Sequence, residues 1–136
     1  MRYRIAAIAP ILSGALVREA PAQATIIEPS GTWRGTSLCL VRPSACHDET
    51  VVYRIARTTT RDSLSMDARK IVDGAEQVMG VLACRFDVSS ARLTCEIPHG
   101  TWLFTIRGDS LVGELRQPDG TNFRDVRAAR SPQETP

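Results

Sequence analysis

The sequence predicts an all-β domain of eight short antiparallel strands, closed into a small up-and-down barrel or left as a strongly curved sheet, and braced by disulfides. Three observations predict it. Runs of alternating apolar and polar residues recur roughly every 8–12 residues with turn residues between them, the pattern of a sandwich or barrel. A meander this regular closes most simply on itself, which removes its exposed edges. Four cysteines lie as two close pairs, at 39 and 46 and at 84 and 95. Finally, Gly31-Thr32-Trp33-Arg34-Gly35 opens the first convincing strand, with a glycine that lets the backbone turn in tightly and a Trp suited to plug one end.

Residues 1–24 read as a secretory signal rather than as part of the fold. Arg2 and Arg4 precede an apolar run from Ile5 to Val17, and Ala22-Gln23-Ala24 supplies the small residues a signal peptidase reads. The run is too short to span a bilayer stably, and no later stretch approaches the roughly 20 apolar residues a membrane helix needs. The expectation is an exported chain, periplasmic or extracellular, with residues 25–136 as one domain. The whole chain has 17 basic and 15 acidic side chains. Residues 1–24 hold three of the basic and one of the acidic, so the remainder is balanced at 14 of each. Nucleic-acid binding needs a surplus of positive charge, and this balance argues against it.

The first strand is expected at about 31–41, with Trp33, Gly35, Ser37 and Cys39 on one face. A Pro-containing loop leads to 49–58, where Val51, Tyr53 and Ile55 alternate with Val52, Arg54 and Ala56. Leu64, Met66 and Ala68 alternate with polar residues in 63–71. Asp73-Gly74 is a hairpin signal into 76–87, a strand apolar on both faces in which Gly80 marks a bulge or bend. Leu93, Cys95 and Ile97 face inward from 91–97, and Trp102, Phe104 and Ile106 from 101–107. Leu111, Gly113 and Leu115 do so from 110–116, and Pro118-Asp119-Gly120 turns the chain into the last strand near 121–128. The polar tail at 131–136 is expected to fray.

In an exported chain of this size, four cysteines read as two disulfides, for which three connectivities exist. Position favours Cys39–Cys46 across the Pro43-Ser44 loop and Cys84–Cys95 across a tight hairpin. The second pairing also sets Phe86 against Leu93 and Leu82 against Ile97 on one apolar face.

Chemistry-bearing residues are sparse. Cys46-His47-Asp48-Glu49 is the densest cluster, but adjacent residues of an extended segment point to opposite sides and do not converge on one ion. The other histidine, His99, sits in a Pro-His-Gly turn, and Arg107-Gly108-Asp109 straddles a hairpin. No phosphate loop, nucleophile elbow or Cys-x-x-Cys pair is present. No catalytic residue, metal or cofactor is therefore expected. Trp33 and Trp102 read as core plugs at one rim of the barrel.

With Gly31-Thr32-Trp33-Arg34-Gly35-Thr36-Ser37, the Cys46-to-Tyr53 run and Gly80-Val81-Leu82-Ala83-Cys84 in view, the chain resembles a family of small exported bacterial proteins to which no activity is assigned. Gly31-x-Trp33 and the strand count are also similar to the lipocalin and calycin group, and to the periplasmic metalloprotease inhibitors. In lipocalins an Arg or Lys late in the last strand packs over the first-strand Trp. That likeness implies Arg124 or Arg127 over Trp33. Two departures are visible: lipocalins are longer and carry a C-terminal helix, and the inhibitors dock through a longer N-terminal trunk than 25–30.

These readings lead to a binding protein of lipocalin-like type, holding a small apolar ligand or lipid inside the barrel. The candidate interior residues are Trp33, Tyr53, Leu64, Met66, Leu82, Phe86, Trp102, Phe104 and Leu111, with the cavity at the mouth away from the Trp plug. The rival reading is a protein-interaction barrel with a filled core, such as an envelope protease inhibitor; on either reading the protein is expected to be a monomer. Cavity volume separates the two.

Overall fold

The computed structural model describes residues 10, 14–22 and 26–132. Most of the expected signal segment 1–24, and residues 133–136 of the tail, lie outside the described residues. The chain forms a closed antiparallel barrel in which each strand pairs with the next and the last with the first. The strands are β1 (Gly31–Cys39), β2 (Glu49–Arg57), β3 (Ser63–Val72), β4 (Ala75–Asp87), β5 (Arg92–Ile97), β6 (Gly100–Arg107), β7 (Ser110–Arg116) and β8 (Asn122–Arg130). No helix occurs among the described residues.

Local chemistry accounts for the turns. Asp73 and Gly74 both take positive φ, 51° and 80°, which suits a two-residue hairpin whose twist matches its strands. Gly31 enters β1 at φ 125°, a conformation side chains rarely adopt, so the chain can swing from the lead-in onto the wall.

Up-and-down topology gives the barrel two distinct ends. The loops 58–62, 88–91 and 108–109 lie with the start of β1, while 40–48, 73–74, 98–99 and 117–121 lie at the far end. The first end is packed solid. Trp33, Leu64, Leu93 and Leu111 have no exposed surface, and Ile55, Phe86 and Ile106 have almost none. Trp33 Nε1 donates to the Pro29 carbonyl at 3.0 Å, so the buried indole leaves no polar atom unmet.

Arg130, and neither Arg124 nor Arg127, covers that Trp. Its guanidinium stands 4.3 Å from the ring centroid. It donates to the carbonyls of Ser30, at 2.7 Å, and Glu28, and pairs with Asp109 at 3.2 Å. The reason is strand length and parity. β8 runs to 130, where Arg130 lies directly across from Trp33; Arg124 shares its face but pairs with Cys39 at the far end. Arg127 is one residue out of phase and points outward, exposed.

The two tryptophans also stand at opposite ends rather than at one rim. Both lie near the start of a strand, but β1 and β6 run in opposite directions. At the far end, Glu49 faces inward between Lys70, at 3.7 Å, and Arg124, at 3.5 Å. Arg124 also donates to the buried Ser37 hydroxyl at 3.1 Å.

Both disulfides join the expected pairs, Cys39–Cys46 and Cys84–Cys95. Two such bonds in so short a chain suit an oxidising, exported environment. Cys84 and Cys95 sit directly opposite one another at the last rung of the β4–β5 ladder, which covers only Cys84–Asp87 against Arg92–Cys95. Phe86 faces Leu93 as expected, but Leu82 and Ile97 do not pair. β4 has 13 residues against six in β5, so β4 runs on past its neighbour. Beyond the disulfide the wall is split.

A bulge accompanies the split. The β3–β4 register pairs Ala68 with Gly80 and then Arg69 with Val78, leaving Met79 as the extra residue.

Candidate functional site

Where β4 parts from β5, a pocket of about 290 Å³ opens into the barrel wall. β2 and β3 supply Tyr53, Met66 and Ala68; β4 supplies Met79, Gly80 and Leu82; β5 and β6 supply Ile97, Trp102 and Phe104. The lining is almost wholly apolar because inward positions on these strands alternate with outward polar ones.

Its aromatic wall is tightly built. Trp102 stacks on Phe104 with ring centroids 5.5 Å apart and planes 7° from parallel. Phe104 meets Tyr53 edge-on at 5.8 Å and 63°. Behind Phe104 lies Gly113, its cross-strand neighbour, where any Cβ would run into the Phe104 ring. The absence of that side chain sets the depth at which the ring lies.

Tyr53 brings the one polar group of the lining. Burial pushes its pKa well above the usual phenol range; the negative charge of Glu49 adds to this, and Arg124 opposes it. The group is therefore a neutral phenol, able both to donate and to accept.

Of the sequence-derived interior set, Tyr53, Met66, Leu82, Trp102 and Phe104 line this pocket. Trp33, Leu64, Phe86 and Leu111 instead fill the packed end. Ala68, Met79, Gly80 and Ile97 belong to the pocket and were not in that set. Alternation alone puts Ala68 and Ile97 inward; Met79 turns toward the pocket through the bulge, which alternation does not reveal.

A wider trough of about 920 Å³ lies near the Trp33 end, lined by Arg61, Arg85 and Arg92 with Asp62 and Asp87. It is more open and mainly polar, and so offers little burial to an apolar molecule.

The Cys46-His47-Asp48-Glu49 run is pulled apart by its strand geometry. Cys46 is in a disulfide, His47 is exposed, and Glu49 turns into the barrel. Asp48 accepts from the Cys39 N–H and from Arg42, each at 2.8 Å. The Cys39 N–H and then Arg42 hold its carboxyl below the usual range. His99, Gly108 and Asp109 are exposed turn residues, and Arg107 is the exposed last residue of β6. Among the described residues, no group of three or more His, Cys, Asp or Glu is gathered to hold a metal ion.

The chain matches no protein-family model, and no curated protein matches it in sequence.

Proposed function

We propose that the protein is an exported binding protein of lipocalin-like type, which holds a small apolar ligand between β4 and the Trp102–Phe104 wall. The observation that carries this reading is an apolar-lined pocket, closed below by a solid core and provided with one phenol, that of Tyr53. At about 290 Å³ it stands at the small end of ligand pockets and holds about ten water-sized groups. The ligand is accordingly compact or a short chain, mostly hydrocarbon, with one group that hydrogen-bonds Tyr53. Burial of its apolar surface, worth about 25 cal/mol per Å², drives binding without any chemical step.

Export accords with the basic start, the apolar run and the small residues at 22–24, together with the two disulfides. Around the packed end and the pocket the wall is apolar inside, and the outward Arg34, Arg54, Asp67 and Arg69 of β1–β3 reverse the pattern of a lipid-facing barrel there. The protein therefore works in water.

The test is tryptophan fluorescence of the oxidised protein, titrated with medium- and long-chain fatty acids, their alcohols and a hydrophobic dye. Saturable change is expected in Trp33→Phe, where Trp102 reports alone, and not in Trp102→Phe. Leu82→Trp fills the pocket and abolishes the response. A folded protein silent to the whole panel would overturn the carrier reading and favour a filled barrel that binds an envelope protein.

A further inference from the structure

Barrel closure normally disposes of every strand edge, but here it leaves a long stretch of β4 unpaired on one side. Beyond Cys84, the nine residues Ala75–Ala83 of β4 pair with β3 alone, and among the described residues no backbone hydrogen bond joins them to β5. Every second residue of that stretch turns its N–H and C=O to an empty side. Proteins usually guard such an edge with lysine, proline or inward charge. This stretch has no proline and one charge, Glu76, which Arg54 already grips with two hydrogen bonds of 2.8 Å. Its apolar residues are open to water: Val78 is 56%, Met79 43% and Val81 68% exposed.

We propose that two copies of this chain join edge to edge through Ala75–Ala83, making one sheet continuous across both barrels. The proposal does not need the ligand reading, although the two share an edge: Met79, Gly80 and Leu82 line the pocket and also lie within Ala75–Ala83.

The Met79 bulge makes the edge self-complementary. Val78 and Val81 are three apart and would face opposite ways on a regular strand. The extra residue turns both to the outer face, where they oppose Arg69 and Asp67. An antiparallel strand paired with its own copy has a two-fold axis, so each contact occurs twice. In the register that sets Val78 against Val81 of the second copy, Glu76 falls opposite Ala83. Like charges never meet, and the exposed valines bury one another. A charged foreign strand would find no charge on this edge left to recognise.

Light scattering on the oxidised, exported protein tests this. Twice the chain mass is expected at micromolar concentration, falling to the single mass in Val78→Lys/Val81→Lys. Val112→Lys is the control: Val112 is similarly exposed, but on a strand paired on both sides, and this variant keeps the double mass. Hydrogen exchange on the unaltered protein gives a second reading should the double variant misfold. Amides in 75–83 should gain protection as concentration rises, while those in 110–116 do not. A single mass at every concentration, or a double variant that still pairs, would overturn the proposal. So would an edge protected only when an extended foreign peptide is added.

Discussion

Arg130 lies over the Trp33 ring at 4.3 Å and ties down the carbonyls of Glu28 and Ser30 that lead into β1. One side chain of the last strand thus seals the packed end and fastens the lead-in over it. Arg130→Ala removes a cation–π contact and two charge-assisted hydrogen bonds and should cost about 2–3 kcal/mol. Arg127→Ala, on the outer face, should stay within about 0.5 kcal/mol. Urea unfolding followed by Trp fluorescence measures both, and equal losses would refute the assignment of Arg130 as the cover.

Gly113→Ala is expected to disturb the pocket as well as the core. Its Cβ meets the Phe104 ring, which must shift against Trp102 and Tyr53. Overpacking of this kind costs about 1–3 kcal/mol. The near-UV circular dichroism of the aromatic wall should change with it, whereas Gly108→Ala, at an open turn, should leave that spectrum as it is.

Acid should weaken the fold through its surface carboxylates. The Ser30 hydroxyl holds the Glu28 carboxyl below its usual range, the Cys39 N–H that of Asp48, and the Arg54 guanidinium that of Glu76. A carboxylate with a depressed folded pKa stabilises above its unfolded value and ceases to do so as pH falls through the folded one. The unfolded values are about 4.5 for Glu and 3.8 for Asp. Stability should therefore be level down to about pH 5 and fall below about 4.5. Glu76→Gln should show a shallower fall in urea midpoint across that range.

The two disulfides should differ in consequence although their rings are similar in length. Chain entropy alone assigns each about 2–3 kcal/mol. Cys84–Cys95, however, lies in the core and ends a ladder of four pairs, so Cys84→Ala/Cys95→Ala should lose more and loosen the pocket. Cys39→Ala/Cys46→Ala opens an exposed loop. Denaturant midpoints and dye uptake of the two double variants give the comparison.

Much of this architecture was legible because short-range chemistry fixes it. Alternation in Leu64-x-Met66-x-Ala68, the Asp73-Gly74 turn and the close cysteine pairs each determine structure within a few residues. What escaped depends on lengths and directions across the barrel. Stopping the last strand at 128 hid Arg130 from Trp33. Strand direction, which motif position does not convey, sends Trp33 and Trp102 to opposite ends. The split between β4 and β5 follows from 13 residues lying beside six, and the inward turn of Met79 from a bulge that Gly80 only hinted at. These are relations between strands, and no single stretch contains them.

The position of the Cys84–Cys95 bond at the last rung has a mechanical meaning. It works as the end stop of a zip. Thermal opening that starts at the pocket can run down the wall only as far as that sulfur link, and the three pairs below it stay engaged. The mouth can therefore open locally while the barrel stays whole, and in the proposed carrier a ligand would pass without the cost of global unfolding. Reduce the bond, and breathing and coming undone become one motion.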